Sequence, residues 1–440
     1  MNIWNIKSNT LILHSRKVSL MTFSWNDMVI QRDKYLNELI GWKHTDLIKV
    51  VTGIRRCGKS FLLFTLFHQH LLEVGIDEDH IIEIALDDIS NEELRDPFKM
   101  LAYVKARIED KGQYYLIIDE VQLLDRFVDV LNSFMHMPNV DVYVTGSNSR
   151  FLSKDVATEF RGRGIEIHIY PLSFAELYTA LGGDKYTLWK QYCTYGGLPY
   201  LAMLNDNARR AEYLIALNQT LYLKDIVERN RIANIHEFTE LMRVMASSIG
   251  SPCNPNKIAN TFQTNSKSKL DNKTIANYLS YIEDAFIIEK SVRYDIKGRK
   301  YIGTLSKYYF QDIGLRNALL NFRQVEETHI MENIIYNELR SRGYSVDVGM
   351  VEARTATERK QLEVDFVANK GDKRYYIQSA FALPTEEKRE QELASFKRIN
   401  DSFKKILILR EDIAPYHDDN GVLIMGLMDF LLKADMDEIM

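Results

Sequence analysis

Gly53 and Gly58, with Lys59 and Ser60 directly after the second glycine, fit the spacing G-x-x-x-x-G-K-S. Glycines at those positions let the backbone turn tightly, so that successive N–H groups point at one anion. The lysine can then reach the outer phosphates of a nucleotide, and the serine hydroxyl can join a Mg²⁺ shell. Gly53, Arg55, Arg56, Cys57, Gly58, Lys59, Ser60 and Phe61 are therefore the candidate contacts for ATP. Further along, Asp119 and Glu120 form an acidic pair. Asp119 would hold Mg²⁺ through water, and Glu120 would orient and deprotonate an attacking water. Asn148, or Ser147 beside it, can sense the terminal phosphate or position that water, or simply form a polar turn. Arg161 or Arg163 can act as an arginine finger, from the same chain or from a neighbouring subunit.

These side chains need a scaffold, and the flanking residues provide one. Ile48–Thr52 is an apolar, strand-like run before the loop, and FLLFTLFHQHLL after it reads as a helix whose positive end faces the anion. Tyr114–Ile118 is a second apolar run that ends on the acidic pair. Val140–Thr145 and Ile165–Tyr170 are further strand-like runs. Continuous apolar strands of this kind predict a buried parallel sheet, and ligands sit at the carboxyl ends of such strands. The expected class is α/β with a P-loop NTPase sheet. Cys57 lies in the loop, where the local field could lower its pKa, although a small residue filling space accounts for it more simply.

A second region has a different charge balance. Pro255 to Tyr308 holds ten Lys or Arg against five Asp or Glu, a local +5 that leaves −10 on the rest of the chain. Lys257–Phe262 reads as a short helix, followed by a polar turn from Thr264 to Leu270 and a longer helix capped by Asp271. Ile275, Leu279, Ile282 and Phe286 follow helical spacing and predict a core face. Two strand-like runs then flank the basic turn Asp295–Lys300. Helix, turn, helix and basic hairpin outline a winged helix, which either binds DNA or mediates protein contacts. Lys273, Arg293, Lys297, Arg299 and Lys300 are the candidate contacts to duplex DNA.

The strings TGIRRCGKS, LIIDEVQ, VTGSNSRFLS and RGRGIEIHIYPLSFAEL, with YGGLPYLA, YLKDIVERN and RYDIKGRKYIGTLSKYYFQDIGLRNALL, resemble a family of AAA+-type P-loop ATPases over roughly Val29 to Asp412. The resemblance implies an ATPase core at 29–174, a helical lid at 175–230, a winged-helix region at 231–325 and a restriction-nuclease-like domain at 326–440. Residues 1–28 precede it as an N-terminal extension, and Met21 and Met28 are alternative starts. In the lid, Gly196-Gly197 before Leu198-Pro199 suits a hinge or a helix break. In the last domain, Glu332 on a helix and Glu363-Val364-Asp365 on a strand match the acidic part of a nuclease centre. The next strand reads Ile377-Gln378-Ser379-Ala380, with glutamine where a second acid is expected and alanine where a lysine is expected. A nuclease-like domain without nuclease activity, serving as a docking module, is the expectation.

The 440 residues allow about two to four domains. A hydrophobic fraction of 46% supplies apolar side chains for several cores. No apolar run is long enough to span a bilayer, and the first residues lack a secretory pattern. The three cysteines are widely spaced, which suits a reducing cytoplasm and excludes a disulfide framework or a cysteine zinc site. The expected cofactors are ATP and Mg²⁺. Expected partners are duplex DNA, a second copy of the chain or a protein partner, with no membrane. Two purposes follow, nucleotide-driven loading or remodelling on DNA, or a nucleotide-controlled switch or scaffold; a third, an ATP-gated nuclease, is opposed by the missing lysine.

Overall fold

A computed structural model describes residues 29–147, 162–266, 271–323, 326–354 and 359–433. Asn148 and Arg161 lie outside the described residues. Five strands, β1 (Ile48–Thr52), β2 (Ile81–Ala85), β3 (Tyr114–Asp119), β4 (Val140–Thr145) and β5 (Gly164–His168), form one parallel sheet in the order β2-β3-β4-β1-β5. Alternate residues point to opposite faces, and each face has its own core. Ile48, Val50, Ile84, Leu116, Ile118, Val142 and Val144 meet the helices Pro97–Arg107 and Phe127–Phe134. Val51, Ile117, Tyr143 and Ile167 face the helix that follows the glycine loop. Burial on both faces is why the strands read as unbroken apolar runs. That helix starts at Lys59–Phe61, passes through a π-helical turn at Leu62–Phe67 and ends as His68–Glu73.

β4 lies between β3 and β1, so three strand ends converge on one point. The glycine loop leaves β1 after Thr52, Asp119 ends β3, and Thr145 ends β4 between them.

The second sheet has eight strands: β6 (Ile288–Asp295), β7 (Lys300–Phe310), β8 (Ser345–Arg354), β9 (Arg359–Lys370), β10 (Lys373–Ala380), β11 (Lys404–Leu409), β12 (Tyr416–His417) and β13 (Leu423–Gly426). Its order is β12-β13-β11-β10-β9-β8-β6-β7. The hairpin read as the wing of a winged helix is built into the sheet of the C-terminal region, and the expected boundary at 325/326 falls within one continuous sheet. The reason is backbone pairing. β6 runs parallel to β8, from Arg293 opposite Val348 to Asp295 opposite Met350, and the Ser291 hydroxyl donates to the Val346 carbonyl. The helices expected before the hairpin are present as Pro255–Ser266 and Asn272–Asp284, the second capped by Asp271 through the Thr274 N–H at 2.8 Å. Ile275, Leu279 and Ile282 are buried as their spacing requires, whereas Phe286 packs from beyond the helix end.

Gly196 ends the helix Lys185–Tyr195 with φ +77, so the helix break is present. The site is also a clasp. The buried Asp312 carboxylate caps the helix Ile313–Leu319 and accepts from the Gly197 N–H at 2.8 Å. A side chain on Gly196 or Gly197 would overlap Asp312 or the Leu172 carbonyl. The neighbouring Arg316 and Asn317, both fully buried, donate to the carbonyls of Ala246 and Cys193. The sequence QDIGLRN thus ties the helical segment to the second sheet.

Candidate nucleotide site

The glycine loop is held from below. Arg32, buried just before the helix Asp33–Gly41, donates to the Cys57 carbonyl at 3.1 Å and the Tyr170 carbonyl at 2.7 Å, and pairs with Glu176 at 2.8 Å. Gly53 has φ +141, and a Cβ there would overlap the Ile169 carbonyl oxygen, so only glycine fits. Cys57 is fully buried, and burial pushes its thiol up despite the opposing influence of Lys59 and Arg32. It fills space, and the activated thiol is not supported. Cys193 and Cys253 are likewise free and buried.

Lys59 is buried, its ammonium donating to the Gly53 and Ile54 carbonyls at 2.9 and 3.1 Å. The Ser60 hydroxyl donates to one Asp119 oxygen at 2.7 Å, and Thr145 donates to the other. Burial raises the Asp119 pKa, while the hydrogen bonds from Thr145 and Ser60 pull it back down. Glu120 sits in the left-handed region at φ 51, a strained conformation for a residue with a side chain. Its N–H donates to the Thr145 hydroxyl at 3.0 Å. Its carboxylate accepts from Gln122 and, at 3.3 Å, from Ser147. Ser147, the alternative to Asn148, is thus within hydrogen-bonding reach of Glu120, and Arg55 reaches Ser147 at 3.3 Å. Arg56 and Phe61 are exposed beside the loop.

Arg163 does not join this group. Its carbonyl accepts from Ile48 at the amino end of β1, whereas the glycine loop leaves the carboxyl end of the same strand. In cis, it is on the wrong edge of the sheet to serve as a finger.

Sequence reasoning missed Thr145, Arg32 and the residues of the helix Lys224–Asn230 that approach the loop, Asp225 and Arg229. Thr145 was recognisable only by its place at a strand end, and the strand order that makes it central is a tertiary fact.

Of the candidate DNA contacts, Lys273 is exposed in the first turn of its helix, and Lys297, Arg299 and Lys300 are exposed at the hairpin tip. Arg293 is half-buried, its guanidinium against Met350 and Gln361, which removes it as a free phosphate contact. Lys307, counted in the basic segment, is 3% exposed and pairs with Glu332 at 2.8 Å and Glu363 at 2.7 Å. Asp365 lies next to this pair and accepts from the N–H and hydroxyl of Ser379. A lysine does therefore meet the acidic cluster, supplied by β7 and not by the strand carrying Ala380. Among the described residues, no group of three or more His, Cys, Asp or Glu is disposed to hold a metal ion, and no helix is long and apolar enough to cross a membrane.

Residues 45–178 match the AAA domain family, and residues 186–326 match a domain of unknown function. An uncharacterised protein of Haemophilus influenzae is 33% identical over 411 residues, covering 92% of this chain and 99% of that protein. An uncharacterised protein of Methanocaldococcus jannaschii is 29% identical over 373 residues, covering 80% and 78% respectively. Among solved structures, a Walker-type ATPase of Pyrococcus abyssi aligns with a TM-score of 0.47 at 14% identity, over 66% of this chain and 96% of that one. The chain belongs to the family of the Haemophilus influenzae protein, and its nucleotide-binding module is an AAA domain.

Proposed function

We propose that the protein is a Mg²⁺-dependent ATPase whose nucleotide state controls what the remainder of the chain binds. The carrying observation is the convergence of Lys59, Ser60, Asp119, Thr145 and Glu120 on the carboxyl ends of three adjacent strands. Lys59 and the loop N–H groups bind the phosphates. Ser60 and Asp119 present two adjacent hard oxygens, a donor set that suits Mg²⁺, which takes few protein ligands and completes its shell with water and phosphate. When bound there, the ion would neutralise charge on the phosphates. Thr145 aligns Asp119 with the Glu120 backbone, and Glu120 accepts the proton of the attacking water. Arg163 from a neighbouring subunit remains part of the proposal as a finger in trans.

Two purposes are open to such an engine. The exposed cations at the hairpin tip, with Tyr301 beside them at 65% exposure, favour contact with duplex DNA. The burial of Lys307 among carboxylates favours the alternative, a nucleotide-controlled switch or scaffold whose nuclease-like centre is inert and whose C-terminal region docks a protein.

Steady-state ATP hydrolysis, with and without duplex DNA, tests the engine and then its purpose. Lys59→Ala should abolish nucleotide binding, and Glu120→Gln should bind ATP without turning it over. Equal hydrolysis by wild type and both variants would refute the ATPase reading. Stimulation by DNA would favour the first purpose, and indifference to DNA the second.

A further inference from the structure

One carboxylate next to the glycine loop is shared between two arginines. Asp225, on the helix Lys224–Asn230, pairs with Arg229 one turn along at 2.8 Å and with Arg55 of the loop at 3.4 Å. Arg55 in turn reaches Ser147, whose hydroxyl donates to Glu120. The electrostatic neighbourhood of Arg229 includes Asp225, Arg55 and Glu120, and burial lowers its pKa ahead of all of them. All three side chains are half-buried, neither locked in the core nor free in water. Two guanidinium groups thus share the Asp225 carboxylate, with Glu120 and Asp284 further out in the field of Arg229. The shared pair lies on the Glu120 side of the loop, where the outermost phosphate of a bound nucleotide would come.

We propose that Asp225 stands in for the terminal phosphate of a nucleoside triphosphate: it holds Arg55 and Arg229 until that phosphate arrives and takes them over. The idea rests on nucleotide binding at the glycine loop. A terminal phosphate carries more charge than a carboxylate and offers three acceptor oxygens that match the planar guanidinium fork. It therefore outcompetes Asp225 for the two arginines, whereas a diphosphate, lacking that group, leaves the Asp225 pairs intact. Discrimination between triphosphate and diphosphate becomes an exchange of ion-pair partners. Breaking the Arg55–Asp225 pair also removes a bond between the 224–230 helix and the loop, so the same exchange signals nucleotide state to the helical segment.

The test is a fluorescence titration of the full-length protein with N-methylanthraniloyl derivatives of ADP and of a non-hydrolysable ATP analogue. Asp225→Asn keeps the shape of the side chain and removes the competing anion. It should tighten the triphosphate analogue about three- to tenfold, the scale of one or two solvent-touched ion pairs, and leave ADP unchanged. Arg55→Gln should erase the preference for the triphosphate while ADP still binds. In an Arg55→Gln/Arg229→Gln background, Asp225→Asn should no longer tighten anything. Equal changes for both nucleotides, weaker triphosphate binding by Asp225→Asn, or tightening that persists without the arginines would each overturn the exchange. Wild-type protein that binds neither nucleotide would instead remove the nucleotide-site reading itself, and the exchange with it.

Discussion

Replacing Lys307 by methionine removes the buried cation that pairs with Glu332 and Glu363 at the junction of β7, β9 and the helix Glu327–Ser341, and keeps a side chain of similar length. Glu332 and Asp365 are buried there, and Tyr309 also donates to Glu332. Deleting one partner of a buried pair strands the other charges, at about 3–5 kcal/mol. The pH dependence has a definite sign. Asp365 is pushed up to about 7 by burial and by Glu332, against the pull of Lys307. Because its unfolded pKa is about 3.9, the native state binds the extra proton between roughly pH 4 and 7, and stability falls as pH rises through that window. The Lys307 pKa is raised in the folded state by Glu332, Asp365 and Glu363, which outweigh its burial. Its contribution is therefore fully present below about pH 10, the unfolded lysine value, and is lost only above it. Without the lysine the Asp365 carboxyl loses that downward pull and shifts further up, so the descent continues to higher pH. The expected loss is about 3–5 kcal/mol near pH 8 and smaller near pH 5, where Asp365 carries a proton. Thermal denaturation followed by circular dichroism should show the melting temperature falling by about 10 °C at pH 8 and by much less at pH 5. Adding Glu332→Gln should restore part of the loss. Equal losses at both pH values, or a loss under about 1 kcal/mol at pH 8, would refute the view of Lys307 as the counterion of this cluster.

Gly53→Ala forces a Cβ onto the Ile169 carbonyl and should weaken nucleotide binding by about one to two powers of ten, read by titration, with the strain of about 1–3 kcal/mol confined to the loop. Thr145→Val removes the hydroxyl that serves both Asp119 and the Glu120 N–H, and should lower the hydrolysis rate about tenfold or more with a smaller change in ATP affinity. Arg299→Glu/Lys300→Glu should reduce the salt dependence of duplex DNA binding by about two phosphate contacts. Unchanged titrations across salt would remove the hairpin tip as a nucleic-acid surface.

Much of the candidate nucleotide site was legible in the chain because its parts are local. A strand, a glycine turn, a lysine and a helix follow one another from Ile48 to Phe61, and the acids sit at the end of their own strand. The helix 272–284 and its Asp271 cap were legible for the same reason. What residue types and spacing cannot carry is which strands lie side by side. β4 inserted between β3 and β1 brings Thr145 to Asp119, the pairing of β6 with β8 converts an expected wing into sheet, and β7 delivers Lys307 to acids on other elements. Arg163 failed as a finger within its own chain because strand direction puts it at the opposite end of β1. Residue order alone determined the candidate phosphate loop, since loop and helix propensities act over a few neighbours. Only the tertiary structure decided which distant side chains complete it, because hydrogen bonds and ion pairs between elements depend on strand order and register, which packing of the whole chain selects.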